Sequence, residues 1–316
     1  MVGRRPSIAL EDLKRYWGRV EFSPGFTVPR AERYDLVIAQ EPTLRIGLPA
    51  LIQAKLSGAT FVCEVHGDYL RSGFLPVKDL LAAKVVLPSA DHIRAVNAGI
   101  AESLKSWRVR NVMVIPSVYV RTDLFRSTTS HKTRRNVVLA ASRLVPEKGL
   151  DLLLRSIPRI IERVRDLEVR IVGEGPERPK LERTVRELRL TDVVRFTGWV
   201  RQEELVRHYN EAAVFVCTSF HEGGPRTVFE AAACQTPFVS TAVGLIPEVF
   251  SNGREGYIIQ ERDSELLASK IEELLENPEL RQEMGARGRE VVERHFEWRK
   301  AVERYARAYL DLVRGP

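Results

Sequence analysis

Short runs of β-branched and aliphatic residues recur along the chain, with helical patterns between most of them. The first series is Tyr34–Gln40, Ala59–His66, Lys84–Ala90 and Asn111–Val118. The second is Asn136–Ser142, Glu168–Gly173, Val193–Gly198, Val214–Ser219, Pro237–Thr241 and Gly256–Gln260. Near-continuous apolar strands that alternate with helices must be covered on both faces, which predicts doubly wound parallel α/β sheets. A chain of 316 residues, 44% hydrophobic, suffices for two such domains with full cores.

Between the two series, Arg126–Arg135 is polar and free of large aliphatic side chains. It predicts an interdomain linker at residues 128–135, between an N-terminal domain over 1–127 and a C-terminal one over 136–296. Residues 290–314 carry Val291, Val292, Phe296, Trp298, Val302, Tyr305 and Tyr309 near helical spacing. This predicts one or two amphipathic helices, the last, over 297–316, packing back toward the N-terminal domain. Met1–Val20 reads as a basic amphipathic helix with Leu10, Leu13, Tyr16, Trp17 and Val20 on one side, suited to packing or to a membrane surface.

Lys and Arg number 49 against 42 Asp and Glu, a formal +7. Residues 1–128 hold 18 basic and 12 acidic side chains, or +6, leaving +1 for the remainder. Such asymmetry suits an anionic partner, although a solvated surface explains it equally. Cys63, Cys217 and Cys234 are too scattered for a disulfide framework or a metal or redox motif, and are expected to be buried and reduced. No run approaches a spanning helix and the N-terminus lacks a signal-peptide core, so the expected location is cytoplasmic, possible peripheral contact with the inner membrane face included.

Ligands of open α/β sheets bind beyond the carboxyl ends of strands. After the strand at Asn136–Ser142, Arg143 and Lys148 flank a short loop that leads into a helix, and two cations there could hold a diphosphate. After Val214–Ser219 comes Glu222-Gly223-Gly224-Pro225-Arg226-Thr227-Val228-Phe229-Glu230. Two glycines are unsuited to a helix interior whereas Pro225 suits a first turn, so Glu222 belongs to a loop and Glu230 to the helix that follows. The N–H groups of that helix start favour an anion, and the flanking carboxylates could accept hydrogen bonds from sugar hydroxyls. A plain surface loop with solvated glutamates is the alternative these residues leave open.

The ordered set of features resembles the retaining glycosyltransferases of family 4, with the GT-B fold, over nearly all of Tyr34–Arg314. Ser142–Gly149 looks like the family's phosphate loop, Ile171–Pro176 (including Gly173) like the next strand and turn, and Val194–Val200 like the strand that meets the nucleobase. Glu222 and Glu230 match its paired glutamates, and Ala231–Thr241 its small-residue helix and strand.

The resemblance implies two Rossmann-like domains facing across a cleft. It places Arg143 and Lys148 on the diphosphate, Glu230 on the ribose and Glu222 on the transferred hexose. Gly223 and Gly224 would line the sugar, the backbone from Pro225 through Arg226 and Thr227 to Val228 the phosphates, and Gly198 and Trp199 the base. Val65-His66-Gly67-Asp68 resembles the loop whose histidine faces the donor, though a packed turn histidine would look the same.

The implied activity is retaining transfer of a hexose from a nucleotide diphosphate sugar to an unknown acceptor, a lipid, a glycan or a small molecule, with no cofactor and no metal. The short stretch before Tyr34 lacks an initial strand with a Gly-rich loop, so the N-terminal domain reads as shortened. A nucleotide-sugar-binding protein without turnover and a 2-epimerase are therefore the alternatives. A glycoside hydrolase is disfavoured by the cationic loop, and no motif supports nucleic-acid binding.

Overall fold

The computed structural model describes residues 16–17, 33–67, 76–130 and 134–314. The chain forms two compact units, one of Met1–Ser117 with Arg299–Pro316 and one of Val118–Trp298. Apart from Tyr16 and Trp17, the segment Met1–Val20 lies outside the described residues, as does Asp68.

In the first unit, four described parallel strands lie in the order β1-β2-β3-β4: Leu36–Ala39, Thr60–Val65, His92–Ala95 and Val112–Val114. Three described helices connect them, α1 (Gly47–Ser57), α2 (Val77–Val86) and α3 (Ala98–Leu104). Because every crossover steps the same way, right-handed connection sets all three helices on one face of the sheet. Phe61, Cys63, Val65, Ile93 and Ala95 point to that face and pack with Ala54, Ala83, Val86 and Leu104. Glu64 and Arg94, one residue out of phase and opposite each other in register, belong to the other face.

The expected strand at Lys84–Ala90 is corrected. Its first part is the end of α2, and β3 follows at His92–Ala95. Val85-Val86-Leu87 is too short an apolar run to reveal its period, and the true strand was hidden by the fully buried Arg94 within it.

In the second unit, six described parallel strands take the order β10-β9-β8-β5-β6-β7. They are β5 (Val137–Ala141), β6 (Glu168–Val172), β7 (Val194–Gly198), β8 (Val214–Cys217), β9 (Phe238–Thr241) and β10 (Gly256–Ile259). From β5 the chain steps outward to β6 and β7, then returns beside β5 and steps the opposite way. The strand order therefore reverses between β5 and β8.

Seven described helices accompany the second series. They are α4 (Asp151–Arg163), α5 (Arg178–Glu187), α6 (Gln202–Glu211), α7 (Arg226–Ala233), α8 (Ile246–Val249), α9 (Ser264–Glu276) and α10 (Pro278–His295). Leu153, Ile157 and Ile160 of α4 pack with Leu267, Ile271 and Leu274 of α9 in one core cluster, while Phe229 of α7 meets Phe250 and Phe296 in another.

The expected boundary also moves. The polar stretch before β5 is part of the second unit, where Asn210 pairs with the backbone of Arg126 and Thr128. Arg134 is buried, donating to the carbonyls of Ala212 and Cys234 and to Thr236. Val118, Val120 and Phe125 already belong to that unit's core. Polarity suggested a free tether, but a coil fastened by side chain to backbone bonds has the same composition.

The C-terminal amphipathic pattern breaks after α10, and α11 (Trp298–Arg314) follows, with Arg299 onward in the first unit. Trp17 stacks near Tyr305 and Tyr309 there and donates from Nε1 to the carbonyl of Ala306 at 3.2 Å. All three cysteines are buried and free.

Candidate functional site

The reversal between β5 and β8 opens a crevice at their carboxyl ends, the position at which such sheets bind ligands. The Arg143–Gly149 loop leaves β5 there and the Thr218–Pro225 loop leaves β8. Phe220 N donates to the Glu147 carbonyl at 2.8 Å, and Thr218 Oγ1 to the Lys148 carbonyl at 3.0 Å. Lys148 Nζ forms an ion pair with Glu222 Oε1, which also accepts from Ser219 Oγ at 2.8 Å. The structure thus brings Lys148 and Glu222, 74 positions apart, into direct contact.

Arg262, which the sequence reading missed, joins these loops from behind. Its guanidinium donates to the carbonyls of Thr218 and Gly149 and lies 3.6 Å from the Phe220 ring centroid. Gly149 has φ +54°, and a Cβ there would meet the Thr218 carbonyl oxygen at 2.6 Å as well as Arg262. Only glycine permits this approach.

Three groups, two on these loops and one on α7, keep hydrogen-bonding capacity. Arg143 is exposed and has no ion pair among the described residues. Glu222 Oε2 has no hydrogen bond among them, both of that residue's bonds falling on Oε1. Glu230, 5% exposed on α7, accepts from Tyr209 Oη at 3.1 Å through Oε2 alone.

Burial pushes the Glu230 carboxyl up from 4.5 to about 7, against the opposing pull of Arg226 and of the Tyr209 hydrogen bond. Pro225 caps α7, and the first-turn N–H groups that follow, on Arg226 and Thr227, have no intrahelical acceptor by construction. Val228, next in line, donates to the Pro225 carbonyl at 2.9 Å and is buried.

The remaining expected residues have other surroundings. A Cβ on Gly224 would strike Val118 and Leu245, so packing alone requires that glycine. Gly223 is half-buried beside it, and its carbonyl oxygen closely approaches Gly244. Gly173 ends β6 with φ +130°, and a Cβ there would overlap the Ser142 carbonyl. Gly198 ends β7, Gly173 N donates to its carbonyl at 2.8 Å, and the neighbouring Trp199 is 75% exposed. The Arg226 guanidinium lies 4.4 Å from the Tyr119 ring centroid.

His66 belongs to the first unit, just after β2. Its Nε2 lies 2.9 Å from Glu64 Oε2. Glu64 Oε1 accepts from Arg94 at 2.9 Å, from Tyr305 at 2.7 Å and from Tyr309. Arg94 and His66 hold the Glu64 carboxyl well below the usual carboxylate range although burial opposes them.

Family models match both parts of the chain, "Glycosyl transferases group 1" over residues 122–291 and "Glycosyl transferase 4-like domain" over 2–117. The chain belongs to the group 1 glycosyl transferases. It is 32% identical, over 99% of its length and 79% of the relative's, to a GDP-mannose-dependent alpha-(1-6)-phosphatidylinositol monomannoside mannosyltransferase of Mycobacterium tuberculosis. The enzyme of that name from Mycolicibacterium smegmatis is 34% identical over 54% of this chain, which spans 47% of its length. Among solved structures, the sucrose-phosphate synthase of Thermosynechococcus elongatus superposes with a TM-score of 0.77 at 22% identity, covering 88% of this chain and 74% of its own. The fold is thus GT-B.

The Glu230 environment predicts a pH dependence of stability. A carboxyl whose folded value is raised contributes fully below about 4.5, and that contribution is lost as pH rises through about 7. The loss amounts to about 3 kcal/mol. Glu230→Gln should therefore gain thermal stability relative to the native protein between about pH 5 and pH 8, as calorimetry at the two values will show.

Proposed function

We propose that this protein transfers a hexose from a nucleotide diphosphate sugar to a lipid-linked acceptor, with retention and without a metal. The observation that carries the reading is the set of groups with spare bonding capacity at the β5/β8 reversal: Arg143, Glu222 Oε2 and the unbonded oxygen of Glu230. A nucleotide sugar matches each of them. Its diphosphate takes Arg143, Lys148 and the N–H groups of α7, its ribose hydroxyls donate to Glu230, and its hexose hydroxyls donate to Glu222.

The same cations stabilise the negative charge that builds on the departing diphosphate. That phosphate then helps to deprotonate the acceptor on the face it leaves. His66 is a catalytic residue of the first unit, and Trp199 with Gly198 borders the base. Gly173, Gly223 and Gly224 let backbone come close to the bound donor. GDP-mannose is the donor to try first, since the two mycobacterial relatives are named for it.

The lipid-linked acceptor is supported by one face of the first unit. The adjacent helices α1 and α2 expose Ile52, Leu56, Val77, Leu81 and Val85, between 44% and 74% each. Both helices are therefore apolar on the side away from the core as well as on the side toward it, which is unusual for a solvated helix. Lys55, Lys78 and Lys84 are exposed on the same two helices, whose one carboxylate, Asp79, is occupied by the Leu44 N–H. Aliphatic side chains ringed by ammonium groups suit an anionic bilayer. No helix among the described residues is long and apolar enough to cross a membrane.

Calorimetric titration tests the donor reading. GDP, UDP or ADP, or one of their sugars, should bind, and affinity should rise from about pH 6 to about pH 8 as the Glu230 carboxylate forms, beyond any rise seen in Glu230→Gln. No binding by any of them defeats it. Lys148→Ala should lower kcat by about two to three orders of magnitude.

Flotation tests the membrane face. The protein should rise with phosphatidylinositol vesicles and remain below with neutral phosphatidylcholine, and Leu81→Glu should abolish the difference. Self-association through this face without vesicle binding would refute it.

A further inference from the structure

Glu64, Arg94, Tyr305 and Tyr309 form a buried polar cluster in the first unit that the donor-binding loops do not use. Each nitrogen of the Arg94 guanidinium is engaged. Its Nε donates to the Ile115 carbonyl, its Nη2 to the Pro116 carbonyl and its Nη1 to Glu64, each at 2.9 Å. Charge neutrality of the pair therefore needs nothing further. Yet Glu64 Oε1 takes two tyrosine hydroxyls as well, which leaves Oε2 for His66.

We infer that Glu64 is a positioning residue for His66, held in place by the two tyrosines of α11, and that it fixes the ring so that Nδ1 is the nitrogen offered to a ligand. An ionised carboxylate cannot donate, so the 2.9 Å contact requires the proton on His66 Nε2. Residues 64 and 66 project from the same side of an extended strand, which sets the carboxylate directly beneath the ring. His66 Nδ1 has no hydrogen-bond partner among the described residues, and the side chain is 21% exposed just past the carboxyl end of β2. A neutral ring presents an acceptor there and a protonated ring a donor. Tyr305 and Tyr309, 241 and 245 positions from Glu64, act on His66 only through that carboxylate. The inference rests on the assignment of His66 as a catalytic residue.

Two readouts test it, one of them independent of activity. Nitrogen-15 spectra of the imidazole at about pH 8.5, where an ordinary histidine is neutral, should show the Nε2–H tautomer in the native protein. They should show a mixture in Glu64→Gln or, should that variant fail to fold, in the double variant Tyr305→Phe, Tyr309→Phe. A native Nδ1–H tautomer overturns the inference.

In the kinetic arm, Asn places its amide near the Nδ1 position and Gln reaches toward Nε2. His66→Asn should retain kcat within about tenfold, while His66→Gln falls with His66→Ala by more than that. The double tyrosine variant should lower kcat without changing the donor KM. Equal losses in the Asn and Gln variants refute the Nδ1 assignment. An unchanged kcat in the double variant, with His66→Ala impaired, refutes the positioning role and leaves His66 catalytic. Full activity of His66→Ala removes the catalytic assignment and the positioning role with it, whatever the tautomer.

Discussion

The reversal of strand order between β5 and β8 is the constraint on which the second unit depends. A parallel sheet that grows outward in both directions from one pair of neighbours leaves the carboxyl ends of those two strands without a crossing helix between them. Each strand must then turn its own loop into that gap. Arg143–Gly149 and Thr218–Pro225 do so, and their mutual hydrogen bonds make one wall from two distant stretches of chain. Arg262 completes the wall by accepting no role of its own at its surface and instead tying the carbonyls behind it. The geometry of Lys148 against Glu222 follows from this backbone arrangement.

The first unit solves a different problem. Its sheet is covered on one face by helices reached through local crossovers, and the other face carries a cross-strand ion pair that is fully buried. A buried pair is costly unless every remaining donor and acceptor is satisfied, and here the carbonyls of Ile115 and Pro116 together with Tyr305 and Tyr309 satisfy them. Aromatic side chains meet both needs at once, since their rings fill the apolar space while their hydroxyls reach the carboxylate.

What could be read in the sequence follows from how locally each feature is encoded. Nine of the expected strands contain the observed ones because aliphatic runs bounded by breakers are local signals. The Gly223-Gly224-Pro225 turn was legible for the same reason, and it correctly divided Glu222 on the loop from Glu230 on the helix. β3 was not legible, because a buried Arg94 is indistinguishable in sequence from a surface arginine until its partner on the neighbouring strand is known. The stretch at 128–135 failed likewise, its anchors being Asn210 and Thr236 far along the chain. Arg262 and Tyr209 gave no signal, since each reaches its partners from an otherwise ordinary loop or helical segment.

The two tyrosines of α11 have a consequence for the order in which the molecule can be completed. Glu64 enters the chain early, but the hydroxyls that close over it are 241 and 245 residues later, after the whole of the second unit. While the polypeptide is being synthesised, the strands of the first unit can pair, yet one face of their sheet must wait, with its ion pair open to water, until the second unit has emerged and α11 arrives. The unit built first is therefore finished last.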